Sequence, residues 1–379
     1  MMISRFSFPT SIVFGVGAVK EIGGLAKKVG GTRALIVTDK GVAKAGLIAP
    51  VQQALEAAGV PSVVFDGVAP NPTEADVDAG IAAYRESGSD FLVGVGGGSP
   101  LDGAKAIRLR VTHTLPLEEY DDNIGGDAKI NNNMPPMLAI PTTAGTGSEV
   151  GRSAVIICKA NDRKTVIFSP YLMPNYAVCD PEMTAGMPPV ITAATGMDAF
   201  THNIESYLAK GYHPLADAMA LYGMRLCGKS LRRAVENGRD LDARADMMMA
   251  AIMGATAFQK GLGVTHSLAH PLSSIGGMHH GMANAVLLPY VLEYNADSCP
   301  QKYLDIAKTL DLPAKPEAVI QWVRDLNASI GVPAKLNGFG ITREMIPAMA
   351  EKALLDGCYL TNPKPCDAES MRALYAAAL

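Results

Sequence analysis

Four of the seven histidines in this 379-residue chain, His266, His270, His279 and His280, fall within Gly261–Asn284 (GLGVTHSLAHPLSSIGGMHHGMAN). A second group lies upstream: Asp198 and His202 stand four apart in TGMDAFTHNIES, within a stretch of helical spacing. An i, i+4 interval places two side chains on one helix face, and His266 and His270 repeat it. One carboxylate with several imidazoles is a donor set for divalent iron or zinc. No cysteine is close enough in sequence to suggest a structural thiolate site. A single histidine on an apolar helix is ordinarily a hydrogen-bonded core residue, but a cluster of four beside a D-x-x-x-H pair calls for a metal. His113 and His213 lie outside the cluster and are expected at the surface.

Two turns could hold a phosphorylated ligand. Val93–Lys105 (VGVGGGSPLDGAK) runs from an apolar strand through Gly96, Gly97, Gly98 and Ser99 to Pro100 and a helical pattern. Glycines let a backbone approach a pyrophosphate, and the helix N-terminus favours its charge. Pro100 suits the first helical turn. The pattern departs from G-x-G-x-x-G, and a plain strand-to-helix turn explains it equally well. Pro141–Val150 (PTTAGTGSEV) follows another strand with hydroxyls and small residues, either as a phosphate- or ribose-facing loop or as an ordinary one. Asp39 closes ALIVTDKG, where an acid can accept hydrogen bonds from an adenosine ribose and repel a 2′-phosphate. It can equally be a turn aspartate.

The elements that must position these residues fall into two textures. Short apolar runs at Ser11–Phe14, Ala34–Thr38, Ser62–Phe65, Asp90–Val95 and Met137–Ile140 alternate with helical spacing at Ala49–Ala58 and Glu74–Ser87. This rhythm predicts a parallel sheet covered on both faces. Val155–Cys158, Thr165–Phe168 and Tyr176–Cys179 supply later strands. Beyond the proline-bearing Asp180–Pro189 (DPEMTAGMPP), helical patterns dominate: Val190–Leu208, Pro214–Asn237, Leu241–Phe258, Val286–Asn295, Pro316–Ile330 and Arg343–Leu355. The expected organisation is therefore an α/β dinucleotide-binding domain over residues 1–184 and an all-α metal-binding domain over residues 185–379.

Composition agrees with a globular fold: 48% hydrophobic, 18% charged, net charge −4. No basic surface for nucleic acid or membranes is implied. Neither a signal peptide nor a transmembrane segment is expected. The six cysteines form no C-x-x-C pair and are read as reduced thiols in a cytoplasmic protein.

Taken together, the residues resemble the iron-containing (group III) alcohol dehydrogenase family. The matching segments are FGVGAV (Phe14–Val19), IVTDKG, PNPT (Pro70–Thr73), GGGSPLDGAK, PTTAGTGSE, Asp180-Pro181, ATGMDAFTHNIE, GLGVTHSLAHPL, HHGMANAVLLP and TNP (Thr361–Pro363). They run in family order over nearly the whole chain. The resemblance implies a dehydroquinate synthase-like fold, with an N-terminal α/β domain, a C-terminal helical domain and the active site in the cleft between them. It implies Asp198, His202, His266 and His280 as ligands of Fe2+, or alternatively Zn2+. The HHG doublet lets His279 compete with His280. His270 matches a histidine near the substrate and is the candidate proton carrier, since imidazole titrates near neutrality. Its alternative role is to support the ligands from outside. Gly96–Ser99, Asp102, Thr142, Thr143, Ser148 and Lys164 match positions that contact the cofactor. Asp39 matches the residue that favours NAD over NADP.

The compact AFQKGLG (Ala257–Gly263), MHHG and SEVGR are similar to the 4-hydroxybutyrate dehydrogenase branch. Arg152, where relatives often carry a neutral residue, and Lys260 are accordingly candidate partners for the far-end anion of a short ω-hydroxy acid. The implied activity is NAD-dependent hydride transfer to and from a small primary alcohol or aldehyde, in an enzyme expected to be dimeric. A general dehydrogenase of neutral alcohols, a lyase of the dehydroquinate-synthase type and a non-catalytic relative are the competing readings.

Overall fold

The computed structural model describes residues 6–160 and 163–379. The chain divides into two compact units. The first holds Pro9–Thr143 and Gly147–Gly186. The second holds the described residues before Pro9, the short segment Ala144–Thr146, and Met187–Leu379. The division therefore falls at Gly186–Met187, inside the proline-bearing stretch, and the hydroxyl-rich loop after Pro141 lends three residues to the helical unit.

The α/β unit contains β1 (Ser11–Phe14), α1 (Ile22–Lys28), β2 (Ala34–Val37), α2 (Lys40–Lys44), α3 (Ile48–Ala57), β3 (Ser62–Phe65), α4 (Glu74–Glu86), β4 (Phe91–Gly96), α5 (Gly98–Thr112), β5 (Met137–Pro141), β6 (Ser153–Cys158), β7 (Arg163–Phe168) and β8 (Tyr176–Cys179). Six strands form one sheet in the order β1-β8-β5-β4-β2-β3, with every recorded pairing parallel. Its central strands are apolar throughout because both faces are covered. Leu35, Val37, Leu92, Met137 and Ala139 join one buried cluster. Their neighbours Ala34, Ile36, Phe91, Val93, Leu138 and Ile140 join another. Period-2 alternation thus sends successive apolar residues to opposite cores. β6 and β7 were expected among the strands but stand apart as an antiparallel hairpin.

The helical unit contains α6 (Pro189–Leu208), α7 (Pro214–Glu236), α8 (Leu241–Ala257), α9 (Val264–Ser274), α10 (His280–Asn295), α11 (Pro300–Thr309), α12 (Pro316–Ser329), α13 (Ile346–Leu354) and α14 (Ala368–Ala378). α6 is its axis, buried at every position from Thr192 to Leu208. α9 is harder to see in sequence because Pro271 lies within it. α10 starts at His280, six residues before the apolar run that announces it. Its first turn lies directly on α6: a Cβ at Gly281 would sit 2.2 Å from the Ala194 carbonyl oxygen.

Two histidines expected at the surface are buried instead. His113 accepts the Asn131 N–H at Nε2, 3.1 Å away, and His213 caps α7 by accepting the Ala216 N–H at 3.1 Å. Each finds a backbone donor that satisfies a ring nitrogen, which is what makes its burial tolerable.

Candidate metal centre and nucleotide-binding turns

α6, α9 and α10 bring the ligand candidates together. Asp198 and His202 project from one face of α6, His266 from the first turn of α9, and His280 from the start of α10. Donor atoms of Asp198, His202 and His266 all lie within 4.8 Å of one another. His280 Nε2 is 3.5 Å from Asp198 Oδ1, and His266 Nε2 is 3.9 Å from the same oxygen. Between the adjacent histidines the structure is unambiguous: His280 faces Asp198, whereas His279 is exposed. The rings of His202 and His266 stack at 4.7 Å, and those of His270 and His280 at 5.1 Å.

The electrostatics suit a cation. Burial raises the pKa of Asp198, but the surrounding His202, His280 and His266 outweigh it and hold the group down to about 2. Burial pushes His202 down to about 4 and His280 well below the ordinary imidazole range. An ionised carboxylate thus sits beside two imidazoles, His202 and His280, that burial holds neutral. His202 Nδ1 is buried with no hydrogen-bond partner among the described residues. Convergent lone pairs on one oxygen and several nitrogens fit a first-row divalent ion, whose preferred ligands these are.

The outer layer was missed in the sequence. Glu205, on α6, accepts from His266 Nδ1 at 2.7 Å, from Thr265 N at 2.7 Å and from Gly263 N at 3.1 Å. It therefore caps α9 and fixes the proton on His266 Nδ1, leaving Nε2 free toward Asp198. Burial disfavours the His266 cation, yet the Glu205 hydrogen bond and charge raise its pKa overall. Glu205 stands seven residues after Asp198 and three after His202, so face periodicity alone would have found it. Asp356 holds His270 in the same way, at 2.6 Å from Nδ1, and itself accepts from Ser267 Oγ and Cys358 N. Eighty-six residues separate that pair, and no local spacing signals it.

Lys260 has partners other than those expected. Its ammonium is buried, paired with Asp217 and donating to the Tyr207 carbonyl at 3.0 Å. Those bonds commit it to the end of α6, which answers a helix C-terminus and leaves no free charge for a substrate anion.

In the α/β unit, β2 and β4 are adjacent and parallel, with Val37 beside Gly94. Chain order reverses between them, so Asp39 and Gly96–Ser99 follow neighbouring carboxyl ends at a topological switch point. Gly96 has φ 153°, and a Cβ there would lie 2.5 Å from the Pro100 ring, so the turn needs glycine. Gly97 faces Thr143, and Thr142 N bonds to the Gly96 carbonyl at 2.9 Å. Ser99 Oγ donates to the Pro70 carbonyl at 2.5 Å. Asp39 Oδ1 caps α2 through the Val42 N–H at 2.9 Å.

Asp102 and Ser148 are bonded to each other at 2.6 Å, Lys105 donates to Ser148 at 2.8 Å, and Val155 N reaches the other Asp102 oxygen at 3.0 Å. Lys164, half-buried on β7, has its pKa lowered by burial against the pull of Asp102. The Arg152 guanidinium lies 5.3 Å from the Phe168 ring centroid.

A doubly covered parallel sheet with a glycine turn at its switch point, and a helical unit with a buried Asp-His cluster, define a class of nucleotide- and metal-using enzymes. Comparison with known proteins makes the class specific. Residues 9–181 match the iron-containing alcohol dehydrogenase model, and residues 192–379 match the C-terminal model of the same family. The chain belongs to the iron-containing alcohol dehydrogenases and is an oxidoreductase of that family.

It is 43% identical to the 4-hydroxybutyrate dehydrogenase of Cupriavidus necator, over 96% of each chain. It is 39% identical to the 1,3-propanediol dehydrogenase of Klebsiella pneumoniae, over 97% of this chain and 96% of that one. Among solved structures, a 1,3-propanediol oxidoreductase superposes with a TM-score of 0.95 at 38% identity over all of both chains. The sulfoacetaldehyde reductase of Bifidobacterium kashiwanohense in complex with NAD+ superposes at 0.91 with 29% identity, over 100% of this chain and 99% of that one. All six cysteines are free thiols, and among the described residues no helix is long and apolar enough to cross a membrane.

Proposed function

We propose that this oxidoreductase transfers hydride between NAD(H) and a short primary alcohol or aldehyde bearing a far-end anion, such as 4-hydroxybutyrate and succinate semialdehyde. The observation that carries the reading is the convergence of Asp198, His202, His266 and His280, three imidazoles around one ionised carboxylate. These four would hold the divalent ion, Fe2+ or Zn2+. When bound, the ion supplies Lewis acidity that lowers an alcohol's pKa, and the nicotinamide supplies the hydride acceptor.

The chain's own contributions are orientation and proton handling. Glu205 keeps the His266 Nε2 lone pair directed inward. Asp356 fixes His270 by its Nδ1, leaving Nε2 to carry the proton exchanged with the hydroxyl or carbonyl. The glycine turn and the Thr142–Thr143 segment form the pyrophosphate side, and Asp39 takes the adenosine ribose. Arg152 is the cation assigned to the substrate's far end, Lys260 having been claimed by Asp217. Two relatives support that choice by their names alone, one for 4-hydroxybutyrate and one for sulfoacetaldehyde.

The test is a substrate and metal screen. Chelation should abolish turnover, and Fe2+ or Zn2+ should restore it. ω-Hydroxy acids should be preferred over neutral alcohols of equal length. Arg152→Ala should raise KM for the acid by about 10- to 100-fold, the loss of a charge-assisted hydrogen bond, and leave the neutral substrate nearly unchanged. Equal losses on both substrates would remove Arg152 from the reading. A wild-type preference for neutral alcohols would replace it with a general alcohol dehydrogenase.

A further inference from the structure

Asn284 lies one turn beyond His280 on α10 and is fully buried. Its Nδ2 is 2.8 Å from Asp198 Oδ1, 3.2 Å from His280 Nε2 and 3.3 Å from His266 Nε2. Its Oδ1 is buried without a partner among the described residues. Every hydrogen bond recorded for this side chain therefore ends on an atom of the ligand set. Burying an amide is unfavourable unless its bonds are replaced, and an unpaired buried acceptor costs about 1–3 kcal/mol. A leucine would keep the branched shape without that penalty, so the polarity at this position serves the three atoms it touches. They come from three helices, α6, α9 and α10.

We propose that Asn284 belongs to the metal centre: its amide holds Asp198, His266 and His280 in one arrangement and so sets the affinity for the divalent ion. This inference rests on the metal reading given above. The bond to Asp198 is kept when a cation binds, because a carboxylate oxygen has lone pairs for both an N–H and a cation, and the contacts with the two imidazoles keep their lone pairs turned to the same point beforehand. Asn284 is thus a positioning residue whose effect is read in metal binding.

The experiment titrates Zn2+ into metal-free protein against a chromophoric chelator, and measures thermal denaturation with and without Zn2+. Wild type, Asn284→Leu, Asn284→Asp and His266→Ala are compared. Asn284→Leu should bind Zn2+ about 10- to 100-fold more weakly, the usual effect of losing an outer partner, and its metal-induced rise in Tm should shrink. Asn284→Asp should show the opposite, a larger rise, because its carboxylate repels Asp198 in the metal-free protein and attracts the cation. A purely structural role would lower Tm in both states and leave the rise intact. Zn2+ affinity in Asn284→Leu within about twofold of wild type, with binding lost in His266→Ala, would overturn this proposal alone. Should Asn284→Leu fail to fold, an unchanged rise in Asn284→Asp would overturn it. Failure of the wild type to bind Zn2+ would overturn both this proposal and the metal reading beneath it.

Discussion

Each of the two units buries a knot of charged and polar side chains, and the knots are closed in different ways. In the α/β unit, Asp102, Lys105 and Ser148 bond to one another and to the backbone of the β6 hairpin at Val155 and Ser153. Donors and acceptors are matched within the knot, which ties the turn after β4 to the hairpin. In the helical unit, Asp198, His202, His266 and His280 bring acceptors against acceptors, and their order comes from outside, through Glu205 and Asn284. A knot that satisfies itself needs no further component. One whose lone pairs converge has room for a cation, as proposed above.

The largest expected effect breaks the outer support of the helical knot. Glu205→Gln replaces a charged acceptor facing several N–H donors with an amide that can present its own N–H to them. Metal affinity should fall about 10- to 100-fold, measured by equilibrium dialysis against a buffered metal. Hydrogen exchange should quicken at residues 263–266, where the α9 cap is lost. Unchanged affinity would show that His266 is oriented by its helix alone.

The sequence carried the inner layer of this comparison and little of the outer one. Asp198 and His202 are conspicuous because they share one helix face, and His266 and His280 because imidazoles are rare and four of them crowd one segment; the choice of these four came from the resemblance. The parallel sheet was equally visible, since a strand buried on both faces reads as an unbroken apolar run. Glu205 and Asn284 sit at helical intervals from ligands, a signal that periodicity offers but that ordinary helix residues share, and their hydrogen bonds to ligand atoms reveal their use. Asp356 reaches His270 from far along the chain, through tertiary packing that no periodicity records. Lys260 misled for a related reason: its partner Asp217 lies on another helix, and a lysine near the histidines in sequence turned out to close the end of α6.

A smaller effect concerns Asp39, also in the α/β unit, whose one recorded side-chain bond caps α2. Asp39→Gly removes the charge, and glycine at an N-cap costs only a few tenths of a kcal/mol. The kcat/KM preference for NAD over NADP should fall by about tenfold, roughly 1.4 kcal/mol. Asp39→Asn, which keeps a capping oxygen but not the charge, should move the ratio in the same direction. A wild-type preference for NADP, or no change in either variant, would leave Asp39 as the cap of α2 and nothing more.

The smallest effect tests whether the α/β knot is as self-contained as its hydrogen bonds imply. Glu149 is buried beside Lys105, and burial pushes its pKa up to about 7 even against the pull of that lysine. A carboxyl raised from its ordinary value of 4.5 to about 7 binds its proton more tightly in the folded than in the unfolded chain. Its contribution to stability is therefore full below about 4.5 and is lost as pH rises through about 7. Gln at this position is of the same shape and does not titrate. The Tm of Glu149→Gln should consequently gain on the wild type by a few degrees between pH 5 and pH 8. A constant difference across that range would mean that Lys105 neutralises Glu149 fully. The α/β knot would then bury its second acid as cleanly as its first, in contrast to the helical knot, whose carboxylate stays charged for a cation.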